Sequence, residues 1–323
     1  MQDLHRGQEI YTFFNIYGVN GFVGLILSVS FMGLIIYKTF KISSGNNIEV
    51  YQEFARKIIP GRLKDNKILS FTINNIINIF LLISFYIMVA GFATFFIQEL
   101  NVSKWYGAII IAIISFITFS KNIEGVVKIN GYLIPTLIVL IVFLGIRKTN
   151  NLLSIEMYNS PKTLYWILNS ILYASYNSIT LMPILISLKK YIKTNQEAKL
   201  ISIFTIAIML LLSIIIFVLM QLFLQEIANI EIPIIYIAST LGKKFKYIYG
   251  IVVLIAIFTT AISTGYGFLS NITKTKRSYI IIAILICVSS VFVGQLSFSS
   301  LVNLLYPIFG YLGIIQIIFL LIA

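Results

Sequence analysis

The residues that could do chemistry lie in three short stretches. Between Lys162 and Lys190 an apolar run is interrupted by Tyr173-Ala-Ser-Tyr-Asn-Ser178, and Pro183 follows. Ser and Asn side chains compete for main-chain hydrogen bonds, and a proline removes a donor while crowding the carbonyl four residues earlier. Midway through a span, this stretch predicts local unwinding, with carbonyls released near Leu172 to Ala174 and N–H groups near Asn177 to Ile179. Such helix ends can hold a cation and a carboxylate respectively. The same residues also suit a proline-kinked packing helix whose Ser and Asn bond to their neighbours.

The second stretch is Gly7-Gln8-Glu9, which opens an apolar element ending near Ile16, half the length of a span. Glu9 is the carboxylate expected well inside the membrane, where an ionisable side chain is a functional candidate. Its other reading is a cap on its own helix N-terminus. An element that starts in the bilayer core must either line an aqueous cavity or follow an upstream half-helix. The third stretch is Thr259, Thr260, Ser263 and Thr264, two pairs four residues apart that form one hydroxyl stripe. Those oxygens could ligate Na⁺ or line a hydrated path, or simply bond to the carbonyls four residues back. Asn74, Asn75 and Asn78 form a similar stripe, with an inner vestibule and interhelical adhesion as its two readings.

The elements that carry these residues follow from composition. The chain has 323 residues, 59% hydrophobic and only 11% charged, against roughly 25% charged in soluble domains. Mean hydropathy is +0.96. Polar residues this scarce cannot cover a soluble fold of this size, so lipid must. One Cys, one His and the absence of an intramembrane Asp pair leave hydrolase or metal-enzyme chemistry little to use. The expectation is a protein that is not an enzyme and has no cofactor. Its net charge of +13 sits in short loops between apolar runs, which points to membrane orientation rather than to nucleic acid.

About 20 apolar residues cross a bilayer as a helix. Runs of that kind appear near 19–37, 68–97, 105–119, 126–146, 163–188, 200–223, 247–270, 279–294 and 300–322. Their length and lack of alternation favour helices over barrel strands. With the loop after the first full span inside, sixteen Lys and Arg lie inside and seven outside. That asymmetry favours this orientation, although Lys243, Lys244 and Lys246 then sit on the outside. The segment from Ile42 to Lys67 is amphipathic and suits a surface helix. Leu222 to Leu241, with Pro233, suits a short external helical hairpin. Trp105 and Trp166 read as interface anchors, Cys287 as a packing residue, and His5 as part of a tail.

Counting the half-element first makes the interrupted span the sixth, so two five-helix units would each begin with a discontinuous helix, the pattern of inverted-repeat transporters. Gly7-Gln8-Glu9-Ile10, Phe13-Phe14, Tyr17-Gly18 and Gly21, with Met88-Val-Ala-Gly91 and Tyr173 to Asn177, resemble the YkvI-like family of bacterial membrane proteins. That family belongs to the amino acid–polyamine–organocation superfamily with the LeuT-type fold. The resemblance implies a 5+5 inverted repeat with helices 1 and 6 broken. The repeats would be about 1–147 and 162–323, within a single transmembrane domain spanning 1–323. It also implies secondary transport of a small, amino-acid-like solute in a bacterial plasma membrane. In sodium-coupled relatives an Ala-x-x-Thr-Ser/Thr arrangement on the eighth helix holds a cation. Ala256, Thr259 and Thr260 are similar, with the Ala carbonyl and both hydroxyls as the implied ligands. Relatives carry a glycine-rich run before the GQE, where this chain has Met1-Gln-Asp-Leu-His-Arg6. The expectation is therefore an N-terminally truncated member lacking the inner half of helix 1, with an incomplete Na⁺ site.

The sequence thus predicts an all-α polytopic membrane protein working by alternating access. Solute would bind midway between the broken helices, contacted by Gly7, Gln8, Glu9, Tyr173, Ser175, Tyr176 and Asn177, with Na⁺ or H⁺ as coupling ion. Its partners are the lipid bilayer and a small solute, with no nucleic acid; the oligomeric state is left open. A non-transporting solute sensor of the spore-germinant type and an inactive truncated product are the alternatives.

Overall fold

The computed structural model describes residues 7–45, 48, 51–60, 67–120, 124–148, 164–188, 192, 194–273 and 275–323. Every regular element among them is helical: α1 Gln8–Phe13, a 3-10 turn Asn15–Tyr17, α2 Gly18–Gly45, α3 Tyr51–Ile58, α4 Lys67–Leu100, α5 Lys104–Ser120, α6 Glu124–Lys148, α7 Tyr165–Leu188, α8 Asn195–Leu222, α9 Pro233–Ser239, α10 Lys243–Ile272, α11 Lys276–Val293 and α12 Phe298–Ile322. The nine predicted spans coincide with α2, α4 to α8 and α10 to α12. Seven stretches among the described residues are long and apolar enough to cross a membrane, and α5, at 17 residues, is a shorter apolar helix. Met1 to Arg6, including His5, lie outside the described residues, as does the side chain of Asn74.

Helix ends follow local chemistry. Thr194 Oγ1 accepts from the Glu197 N–H and Thr275 Oγ1 from the Ser278 N–H, hydroxyl caps at the starts of α8 and α11. Pro233 opens α9, where its missing N–H costs nothing. Past the end of α4, Asn101 takes a left-handed φ of 55°, which Asn tolerates better than most residues.

The chain divides into two compact units, neither of them a sequence half. The first comprises Met1–Asn15, Asn78–Met157 and Ile215–Asn303. Here α10 packs against α5, α6, α9 and α11, and α5 packs on α11. Leu133, Leu137 and Ala256 form a buried apolar cluster between α6 and α10. Gly107 lets α5 close on α4, since a Cβ there would stand 2.9 Å from Ala93 Cα. Polar ties cross the apolar packing: Tyr86 and Ser289 hydroxyls lie 2.7 Å apart, and Asn271 donates to Asn78 Oδ1 at 3.0 Å. The asparagine stripe therefore provides interhelical adhesion at Asn78.

The second unit comprises Ile16–Ile77, Tyr158–Ile214 and Leu304–Ala323. Its main seam is α2 on α7, where Gly24 leaves room for Ser170 and Trp166 and the Ser28 hydroxyl donates to the Ser170 carbonyl at 2.9 Å. Small residues at that spacing are what helix contact in lipid requires. The amphipathic α3 does not lie free on a surface. Phe54 and Ile58 insert into a cluster with Ile35, Met182, Ile186, Ile317 and Leu320. Tyr51 on the same helix accepts a 2.8 Å hydrogen bond from the buried Gln316 amide of α12.

The expected break in the sixth helix is overturned. α7 runs as one α-helix from Tyr165 to Leu188, through Tyr173 to Ser178 and past Pro183. The competing side chains turn inward on their own helix: Asn177 Nδ2 donates to the Tyr173 carbonyl at 2.9 Å, and Ser178 Oγ to the Ser175 carbonyl at 2.7 Å. These bonds satisfy the polar side chains without taking the carbonyls out of the ladder. Away from water, keeping the ladder outweighs the local preference to unwind.

Candidate functional site

Gly7 precedes α1 as its N-cap, and its φ of 75° is left-handed and suits glycine. The close approach there is to Met220 and Ile216 of α8, within the same unit. Gln8 and Glu9 follow and are both buried, Glu9 at 3% exposure. The Thr12 hydroxyl, one turn on, lies 2.9 Å from the Gln8 carbonyl and 2.8 Å from Asn303 Oδ1. Asn15 ends the segment, donating to the Phe217 carbonyl at 2.9 Å and to Gln221 Oε1 at 3.2 Å. The opening residues are thus a buried polar patch in the first unit, walled by the C-terminal half of α8.

The α7 candidates belong to the second unit. Tyr173, Ser175 and Tyr176 are buried, and Asn177 is half-buried. Tyr173 and Tyr176 meet edge to face with centroids 5.4 Å apart, and Tyr176 packs on Tyr306 of α12 at 4.7 Å. With α7 unbroken, its main chain offers no helix ends in mid-span, so whatever recognition occurs there falls to side chains.

On α10 the hydroxyl stripe turns out to be back-bonded. Thr259 and Thr260 both donate to the Ala256 carbonyl, at 3.1 and 2.8 Å; Ser263 donates to the Thr259 carbonyl and Thr264 to the Thr260 carbonyl. Hard cations take oxygen ligands in sets of about six. Here the Ala256 carbonyl already accepts two hydroxyls besides its place in the helix. The three oxygens of Ala256, Thr259 and Thr260 do not fit a sodium site in this arrangement. Among the described residues, no group of three His, Cys, Asp or Glu is placed to hold a metal.

A fourth polar locus escaped the sequence reading. Glu231, in the segment between α8 and α9, reaches several elements of the first unit. Its Oε2 accepts from the Phe298 N–H at 2.6 Å, the Ser299 N–H at 3.3 Å and the Thr94 hydroxyl at 3.3 Å, and its Oε1 lies 3.5 Å from Lys104 Nζ. It therefore caps α12 from a distance, a carboxylate at the positive end of a helix. Beside it Lys246 Nζ lies 2.9 Å from Glu99 Oε2. Gln98 joins the network, its Oε1 accepting from the Ile232 N–H at 3.0 Å and its Nε2 donating to Glu99 Oε1 at 2.7 Å. This explains one of the three lysines at the start of α10, where a cation otherwise opposes the helix dipole. The only sequence signal was that lysine cluster itself, lacking a visible counter-charge. The predicted hairpin reduces to turns after Leu222 and the short helix α9.

Helical spans, buried polar patches and an apolar exterior define an all-α polytopic integral membrane protein. The chain is similar over most of its length to two proteins of Bacillus subtilis (strain 168). It is 25% identical over 328 residues to the uncharacterized membrane protein YkvI, covering 95% of this chain and 88% of that one. It is 26% identical over 328 residues to the uncharacterized protein YyaD, covering 98% and 90%. No family model matches it.

Proposed function

We propose that this chain is a secondary transporter of a bacterial plasma membrane, moving a small amino-acid-like solute by alternating access on a LeuT-type scaffold. The observation that carries the reading is Glu9, a carboxylate at 3% exposure in the opening helix of a membrane protein. Burying an ionisable group among apolar spans is costly, and such groups mark solute or proton pathways. Similarity over most of the chain to an uncharacterized membrane protein supports the membrane setting of this reading. The candidate solute contacts are Gly7, Gln8 and Glu9 within the first unit and, as a separate set, Tyr173, Ser175, Tyr176 and Asn177 within the second. Coupling falls to H⁺ through Glu9, because the α10 oxygens do not suit Na⁺. The test is uptake of amino acids into proteoliposomes under an imposed pH gradient. Wild-type protein accumulates solute, Glu9→Gln loses the response to the gradient, and Asn177→Ala weakens uptake about tenfold, the equivalent of one hydrogen bond. Full activity in the double variant removes the assignment.

The continuous α7 favours a second reading, a solute sensor on the same scaffold. Without opposed helix ends in that span, binding has side chains to work with but no built break about which to move. Saturable binding without flux in the same liposomes selects this reading.

A further inference from the structure

A cavity of about 380 Å³ lies at the C-terminal end of α4 and the N-terminal end of α10, lined in part by Gln98, Glu99, Glu231 and Lys246. Its volume is that of a small-molecule site. The charged groups differ in how firmly they are held. Glu231 is committed to the α12 amides, Thr94 and Lys104. Glu99 is fixed, its side chain 8% exposed, whereas its partner Lys246 is 33% exposed at the end of a flexible stem. The replaceable group is the Lys246 ammonium, and its position 2.9 Å from Glu99 Oε2 marks where another primary ammonium would sit. Ile97 and Ile230 add apolar wall beside it.

We infer that this cavity binds a small zwitterion bearing a primary ammonium group by insertion into the Glu99–Lys246 pair. The ligand ammonium takes Glu99, and Lys246 swings onto the ligand's anionic group, so one ion pair becomes two and no charge is left alone. A plain amine would expel Lys246 without giving it a partner. A plain acid would draw Lys246 away and strand a buried carboxylate, which is strongly unfavourable. A zwitterion therefore binds better than either half. Free amino acids and ethanolamine-type lipid headgroups both have this chemistry. The inference uses none of the solute-contact residues assigned above and needs no movement across the membrane.

The experiment uses the full chain carrying Asn177→Ala, which weakens the other assigned contact, in phosphatidylcholine nanodiscs. Calorimetry is run with alanine, with glycerophosphoethanolamine as the headgroup fragment, and with ethylamine and propionate as single-charge probes. At least one zwitterion is expected to bind saturably, ten times or more tighter than either single-charge probe, and the one that binds identifies the source. Glu99→Gln and Lys246→Met should each weaken it tenfold or more. The reciprocal exchange Glu99→Lys with Lys246→Glu should restore part of the affinity, which a misfolded protein cannot do. Binding of neither zwitterion, or binding that survives both single substitutions, overturns the inference. Alanine binding seen in wild type but lost with Asn177→Ala would overturn it too while leaving the transport reading intact.

Discussion

Gly313 of α12 sits directly against the main chain of Ser175 in α7, so that a Cβ built on it would stand 2.7 Å from the Ser175 carbonyl carbon. One turn earlier, a Cβ on Gly310 would stand 2.9 Å from the Leu172 carbonyl oxygen. Two small positions on one face let the helices touch backbone to backbone, the contact that substitutes for hydrophobic driving force in lipid. The obstacle is backbone, which cannot rotate away as a side chain would.

Gly313→Ala should therefore destabilise the protein by about 1–3 kcal/mol, the usual cost of overpacking. Gly131 in α6 has nothing within 4 Å of its would-be Cβ, and Gly131→Ala should be neutral or stabilising by up to about 1 kcal/mol. Thermal unfolding of the purified protein in one detergent checks both; equal effects would show that close approach is not what Gly313 provides.

Glu231→Ala should release the first turn of α12 and cost about 1–3 kcal/mol, because it removes the acceptor of two amides and the partner of Lys104. Glu231→Gln keeps one acceptor oxygen and should cost less. Hydrogen exchange at the Phe298 and Ser299 amides is the readout, and it should rise far more in the Ala variant than elsewhere in α12.

Much of the fold could be read from the sequence, because a bilayer imposes a strong length rule: each predicted apolar run lies within a helix to within several residues. At α7 sequence and structure differ because a preference that holds in water does not hold for a segment away from water. In water Asn177 and Ser178 can trade helix bonds for solvent, whereas here the cheapest partners are the carbonyls of Tyr173 and Ser175. The candidate residues Gln8 and Glu9 were legible because charge in an apolar chain is rare. Glu99 with Lys246, and Glu231 with Lys104, were not, since each pair is separated by more than a hundred residues and pairing at that range leaves no periodic trace.

If the α10 hydroxyls serve their own helix, Thr259→Val and Thr260→Val should change stability by less than about 1 kcal/mol, because the Ala256 carbonyl keeps its ladder position. Solute binding titrated with NaCl against choline chloride should respond alike in wild type and in both variants. A sodium dependence lost in either one would reinstate the cation site.

Tyr51 lies in α3, outside the spans, and burial pushes its phenol above the ordinary range, with the Gln316 hydrogen bond opposing. A raised folded-state pKa means its contribution is full below the unfolded phenol's pKa and is lost as pH climbs toward the folded value. Alkaline titration of stability should show this component in wild type and not in Tyr51→Phe. At neutral pH Tyr51→Phe should cost about 1 kcal/mol for the lost Gln316 bond.

Pro183 leaves α7 whole but denies the Ile179 carbonyl its usual main-chain donor, because proline has no N–H to give. A rod lacking one rung is most compliant at that level. The span can therefore bow slightly at that level without breaking, a small local compliance inside an otherwise continuous rod.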